Sequence, residues 1–278
     1  MTLMRLSAFI ESVGVIGPGL ANWPQTADVL AARTPYVSAR TVLPAPDGLP
    51  AAERRRTGPV VKIALAVGHE AVAASGRDAT TLAAVFAASG GDGVNCHAIC
   101  ATLAGDDRQL SPTRFHNSVH NAPAGYWSIA AGARATSNVL CAHDGSFAAG
   151  LLESVCQVAV DGVPTLLIAY DADYPEPLHA VRPVADAFGV ALVLAPQASA
   201  ATLARLDVTL TDAEASTLAS PELEALRTNN PAARVLPLLE MLACLAEPCR
   251  QGSVVIDYMP DVRVQIDVAM PEVSGEGV

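Results

Sequence analysis

The sequence predicts an α/β fold: a mixed β-sheet flanked by helices. Short continuous apolar runs, such as 165–170 and 190–194, alternate with longer stretches whose apolar residues recur at helical spacing. That is the pattern of strands buried on both faces beneath packed helices. Composition agrees. Of 278 residues, 51% are hydrophobic, 16% charged and 4% aromatic, so the core must be built from Ala, Val and Leu, which lets helices lie close on a sheet.

Residues 9–16 are apolar and end in Gly17-Pro18-Gly19, a turn signal. A proline-rich loop over 34–58 is expected to run across the surface. Residues 60–74 place Val61, Ala64, Leu65, Val67, Gly68, Ala71 and Val72 on one helical stripe, closed by Ser75-Gly76. Residues 82–88 read as a buried strand and 94–103 as a helix. Asn121 is placed to cap a helix that starts near Ala122, carries Pro123 in its first turn and continues through 126–133. A strand over 137–142, an amphipathic helix over 146–160 and strands over 165–170 and 190–194 follow. Residues 206–211 read as an edge strand, added antiparallel to 190–194, which makes the sheet mixed. Residues 237–246 read as a helix, and 254–257 with 262–268 as a hairpin turning through Met259-Pro260-Asp261.

The formal charge is −11, with Lys62 the sole lysine. An acidic surface repels phosphate backbones, so nucleic acid is excluded as a partner. Glu53-Arg54-Arg55-Arg56 is the one basic cluster, either a solvated turn before a helix or an anchor for an acidic partner. The N-terminal apolar run is too short for a signal peptide, and no uncharged stretch is long enough for membrane insertion, so a cytoplasmic location is expected. Cysteines 96, 100, 141, 156, 244 and 249 lack disulfide-framework spacing and are expected, for the most part, as buried reduced thiols.

Polar chemistry concentrates in two places. Residues 114–132 hold His116, His120, Asn117, Asn121 and the pair Tyr126-Trp127 in otherwise apolar surroundings; shortly after comes Cys141-Ala142-His143-Asp144-Gly145-Ser146. Burying such groups without partners costs about 1–3 kcal/mol each, so both stretches are site candidates. Cys141, His143 and Asp144 supply a nucleophile, a base and a carboxylate, though adjacency in sequence is not a triad. On a strand Cys141 and His143 would share a face, with Asp144 opening the turn. His116 and His120 would share a face of a helix, as metal ligands can; the surrounding Pro and Asn residues favour a hydrogen-bonded loop. Cys96-His97-x-x-Cys100 is a fragment of a metal site without a second ligand pair. Ser89-Gly90-Gly91-Asp92-Gly93 lacks both dinucleotide spacing and a P-loop lysine, and reads as a tight strand-to-helix turn. No cofactor and no metal is expected.

Residues 112–130 resemble the N-terminal half of β-ketoacyl synthases, around the Asn that starts their interface helix. Arg54-Arg55-Arg56 with a helix ending in His69-Glu70-Ala71 is similar to that family's arginine-rich turn and alanine helix. Residues 136–153 resemble its strand, nucleophile elbow and following helix. The match runs loosely over 8–200 and is specific across 112–153. It implies a thiolase-like layered fold over 1–278, truncated relative to full ketosynthases, with 8–200 as the N-terminal half and 201–278 as a short C-terminal extension. The chain is most similar to the short chain-length factors of aryl polyene-type and type II polyketide systems.

That resemblance implies a non-catalytic subunit in fatty acid or polyketide biosynthesis. It would form a heterodimer with a full-length ketosynthase and meet acyl carrier protein indirectly. Phe115, His116, Asn117, His120 and Asn121 would lie at the interface and floor the acyl tunnel. The family's two catalytic histidines lie in its C-terminal half, whereas the last of the six histidines here is His179. An ungapped alignment puts Asp144 near the nucleophile position; a one-residue gap puts Cys141 there. Two alternatives stay open: a stand-alone acyltransferase or thioesterase using Cys141, and a homodimeric scaffold without an acyl role.

Overall fold

The computed structural model describes residues 5–184, 186–245 and 250–271. Its organising element is β1 (Leu6–Ile16), an apolar strand almost wholly buried along its length. After it come α1 (Trp23–Leu30), the short α2 (Ala51–Arg54), α3 (Pro59–Ser75), β2 (Ala83–Ala87), α4 (Gly93–Ala104), α5 (Pro112–His116), α6 (Ala122–Ala130) and β3 (Ser137–Leu140). The second half runs through α7 (Ser146–Cys156), β4 (Thr165–Asp171), α8 (Leu178–Val181), β5 (Phe188–Ala195), β6 (Ala204–Thr211), α9 (Pro221–Asn229), α10 (Leu236–Cys244), β7 (Gln251–Met259) and β8 (Val262–Ala269).

The strands form one 8-stranded sheet in the order β3-β2-β4-β5-β1-β6-β8-β7. Pairing is parallel across β3, β2 and β4 and antiparallel from β4 onward, a mixed sheet. Each face carries its own core. Ile63, Leu65 and Val67 of α3 and Trp127 of α6 pack on Phe86, Leu166 and Ile168. On the other face Phe147, Leu151 and Val155 of α7 and Leu238 and Leu239 of α10 pack on Val85, Leu167 and Leu192. Strands that must satisfy two apolar layers have no polar side to spare, which is why they read as continuous runs.

Several expectations change. The strand expected at an edge, 206–211, lies inside the sheet, because β6 pairs with both β1 and β8. It does not pair with β5: β1 stands between the two, bonded to β5 along its second half and to β6 along its first. Helix α6 ends at Ala130, before a positive-φ glycine at Gly132. Helix α7 ends at Cys156 and relaxes into a wide π-helical turn, Gln157–Asp161, closed by left-handed Gly162. Of the cysteines expected to be buried, 96, 100, 141 and 244 are exposed and 156 is half-buried. Helix α4, which carries two of them, buries only Gly93 and Asn95, so its apolar surface faces outward. Ala246 and Cys249 lie outside the described residues.

Candidate functional site

The three parallel strands end side by side, and their carboxyl ends bring together residues that follow β2, β3 and β4, the place where open α/β sheets hold their sites. Asp171, the last residue of β4, is fully enclosed. One carboxylate oxygen accepts from the Ser89 backbone N–H at 3.0 Å and from its hydroxyl at 2.6 Å; the other accepts from the Ala232 N–H at 3.1 Å. Burial pushes its carboxyl up to about 7 despite those donors, because a charge loses more in leaving water than neutral hydrogen bonds return. The Cys141 thiol, just past β3, lies 3.4 Å from the Ser89 carbonyl oxygen, to which it donates.

Between β3 and α7 the chain reverses through a single 3-10 turn, His143–Gly145. His143 sits at φ +50°, a left-handed conformation that costs a side-chain-bearing residue about 1–2 kcal/mol. The Ser146 hydroxyl clamps the turn by accepting from the Ala142 N–H at 3.0 Å and donating to the His143 carbonyl at 2.7 Å. Gly145 is obligatory, since a Cβ there would lie 2.3 Å from the Tyr258 carbonyl oxygen. A strained residue on a sharp strand-to-helix turn is the geometry of a nucleophile elbow. Here the strained residue is His143, flanked by Cys141 and Asp144.

An ionic chain holds this elbow. Arg182 places Nη1 2.8 Å from His143 Nε2 and Nη2 2.7 Å from Asp144 Oδ1. An arginine can only donate, so Nε2 accepts and the ring proton sits on Nδ1, 3.5 Å from Asp144. Arg234 bridges Asp144 at 3.5 Å and Asp257 at 3.0 Å; Arg227 bonds Asp257 at 2.7 Å and grips Glu224 with two donors at 2.6 and 2.8 Å. Burial works to raise the Asp144 carboxyl, but the hydrogen bond and charge of Arg182, with the charge of Arg234, more than offset it and leave it below the usual carboxylate range. Among the described residues no hydrogen bond joins Cys141 to a histidine, so the nucleophile and the base of this knot are each engaged elsewhere.

Segment 112–121 is built differently. Ser111 caps α5 and Pro112 opens it, but the helix stops at His116, so His120 falls in the next turn and the two histidines do not share a helix face. Asn117 ties the segment down: its Nδ2 donates to the Arg56 carbonyl at 2.7 Å and its Oδ1 accepts from Tyr126 at 3.1 Å. Buried Asn95 of α4 donates to the Arg114 carbonyl at 2.8 Å. The arginine-rich turn, α4, α5 and α6 are thereby joined. Phe115 stands 66% exposed, and Val94, Leu103, Val119 and Ile129 are also exposed on this group of helices. His116 and Asn121 are exposed, and Asn121 occupies the cap position of α6 without a side-chain cap bond. His120 is half-buried, and its Nε2 finds no partner among the described residues.

The glycine turn after β2 holds no anion cradle. Asp92 caps α4 with its own carboxylate, accepting from the Asn95 N–H at 2.9 Å, and Tyr174 packs over Gly90 and Gly93. Among the described residues no group of three His, Cys, Asp or Glu side chains is placed to hold a metal, and no helix is long and apolar enough to cross a membrane. Arg182, Arg234 and Asp171 escaped the sequence reading, and Ser89 was read only as the start of a turn. Asp171 did leave a signal: a carboxylate directly after an apolar strand.

A thiolase-like layered sheet with an elbow at the end of its parallel strands defines a ketosynthase-type protein. The chain belongs to the β-ketoacyl synthase family, matching the model of the β-ketoacyl synthase N-terminal domain over residues 22–248. Sequence comparison with curated proteins gives no match. Its fold is similar to a chain of the ketosynthase ApeO in complex with its chain length factor ApeC from Xenorhabdus doucetiae, at 22% identity and TM-score 0.69, covering 95% of this chain and 99% of that one. It is also similar to the ishigamide ketosynthase/chain length factor, at 13% identity and TM-score 0.69, over 95% of this chain and 99% of that one. A ketosynthase from module 6 of the Bacillus subtilis bacillaene synthase matches at 10% identity and TM-score 0.67; 96% of this chain covers 71% of that one.

Proposed function

We propose that this chain is a non-catalytic ketosynthase-like subunit that pairs with a full-length β-ketoacyl synthase and helps set the length of its acyl product, in a polyketide pathway of the polyene type. The elbow carries the reading. Condensation needs a thiolate to hold the acyl chain and donors to stabilise the developing enolate and oxyanion. At this elbow the strained position presents an imidazole already bonded to Arg182, and the Cys141 thiol donates to a carbonyl. A turn so locked keeps the shape of an elbow while its reactive groups are engaged.

The outward apolar surface of α4, α5 and α6 supports pairing, since Phe115 at 66% exposure is a large side chain without a core of its own. Phe115, His116, Asn117, His120 and Asn121 form the stretch that would meet the partner and floor its tunnel. Arg54 and Arg55, exposed and without an ion pair among the described residues, sit beside it on an otherwise acidic protein and suit an acidic carrier protein. Co-expression with a full-length ketosynthase from the same organism, followed by co-purification and product analysis, tests this. The pair is expected to purify together and to yield a product distribution that shifts when Phe115 is replaced by Ala. A ketosynthase that makes the same products with and without this chain would overturn the reading.

A further inference from the structure

Helix α4 carries two exposed thiols for which packing gives no reason. Cysteine is ordinarily among the most buried residue types, because it behaves as a small hydrophobe. On α4 only Gly93 and Asn95 are buried, and Cys96 and Cys100 are both exposed. They stand four residues apart inside one continuous helix, so they share a stripe, with Cβ atoms about 5–6 Å apart.

The helix is a firm mount for them. Asp92 caps its start by accepting from the Asn95 N–H at 2.9 Å, and the Asp92 carbonyl accepts from the Cys96 N–H at 2.9 Å. The Asn95 side chain ties that first turn to the Arg114 carbonyl at 2.8 Å. Cys96 therefore cannot shift far without unwinding the turn that holds it.

The spacing decides what the pair can do. A disulfide needs Cβ atoms about 3.5–4.5 Å apart, closer than one helical turn allows. Structural zinc takes four ligands, and among the described residues no group of three His, Cys, Asp or Glu side chains is placed to hold a metal. A nucleophilic thiol has to ionise, whereas burial first, then Cys100 and Asp92, hold the Cys96 thiol above its usual value. A soft ion that takes two thiolates in line asks for less. With metal–sulfur bonds of about 2.3 Å its sulfurs stand about 4.6 Å apart, within reach of Cβ atoms one turn apart.

We propose that Cys96 and Cys100 form a two-coordinate site for a soft monovalent ion, copper(I) being the ion of that kind that thiolate ligands favour. Binding exchanges two S–H bonds for two copper–sulfur bonds, releases two protons and transfers no electrons. The site stands whether or not the chain pairs with a ketosynthase.

The test titrates the reduced full chain with copper(I), without oxygen, against a coloured copper(I) chelator, and follows the ultraviolet sulfur-to-copper charge-transfer band. One equivalent is expected to bind at least about a hundredfold more tightly than to Cys96→Ser or Cys100→Ser, because the second thiolate is already tethered beside the first. The double variant Cys100→Ala with Ala101→Cys keeps the number of thiols but turns one of them about 100° round the helix, and should bind as weakly as the serine variants. While the free thiols are protonated, affinity should rise about a hundredfold per pH unit for the wild type and about tenfold for either serine variant, the mark of two protons released against one. Wild-type binding no tighter than that of the serine variants, or an unweakened shifted variant, would overturn the proposal. The substituted positions are all exposed, so folding should hold; if the shifted variant melts early by circular dichroism, the serine variants decide alone.

Discussion

The elbow and the segment that precedes it hold the same kinds of residue and treat them in opposite ways. At 141–146 the polar side chains are satisfied within the chain: His143 by Arg182, Asp144 by Arg182 and Arg234, and the Ser146 hydroxyl by the backbone of its own turn. At 112–121 Asn117 and Ser118 are bonded within the chain, while Phe115 and His116 are exposed. A network closed on itself fixes shape, and an open apolar surface awaits something to close it. On the proposed pairing, the contrast separates what this protein does for its own stability from what it would offer to a partner.

Removing the most enclosed member of the ionic chain is the severest way to break that contrast. Arg227→Met would leave Glu224 with only the Leu218 N–H and Asp257 with Arg234 alone, so urea denaturation should show a loss of about 3 kcal/mol. An unchanged midpoint would mean that the chain of charges contributes nothing to the fold.

Asp171 comes next. Its folded carboxyl titrates near 7, above an unfolded value of about 3.9, so the native state holds an extra proton between them. Stability from this group is therefore full below about pH 4 and is lost as pH rises through 7, with a fall of about 2 kcal/mol between pH 5 and 8. Asp171→Asn cannot ionise and should flatten that part of the profile, measured as urea midpoints at the two pH values. Parallel profiles for both proteins would contradict the assignment.

Effects at the open surface should appear in binding and not in folding. Phe115→Ala is expected to leave the melting midpoint within about 0.5 kcal/mol of the wild type and to weaken association with the partner ketosynthase about tenfold, read by calorimetry of the purified pair. The smallest effect belongs to Cys141→Ser, which should leave product formation by the pair unchanged. Labelling of wild-type Cys141 by a thiol-reactive acyl analogue, together with loss of product in the variant, would instead favour a stand-alone cysteine acyltransferase or thioesterase.

The alternation of strands and helices was legible because strands under two apolar layers are written as unbroken apolar runs, 165–170 and 190–194 being the plainest. The place of β6 was not, since interior and edge differ only by which distant strands arrive, here β1 and β8. Burial of the cysteines was misread for a related reason: α4 has the composition of a core helix, and only the fold shows that most of it meets no core. At the elbow, the polar knot was visible but its wiring was not. Arg182 and Arg234 lie far along the chain from Asp144, and the left-handed backbone of His143 has no mark in the sequence.

The strand at the heart of the sheet is made long before the strands it pairs with. β1 precedes its two neighbours, β5 and β6, by some 180 residues. At typical synthesis rates that is a wait of about 10–40 s, with both edges of an apolar strand unpaired. A newly made copy thus carries an apolar strand with both edges bare through that interval, the kind of exposed segment that chaperones cover during translation.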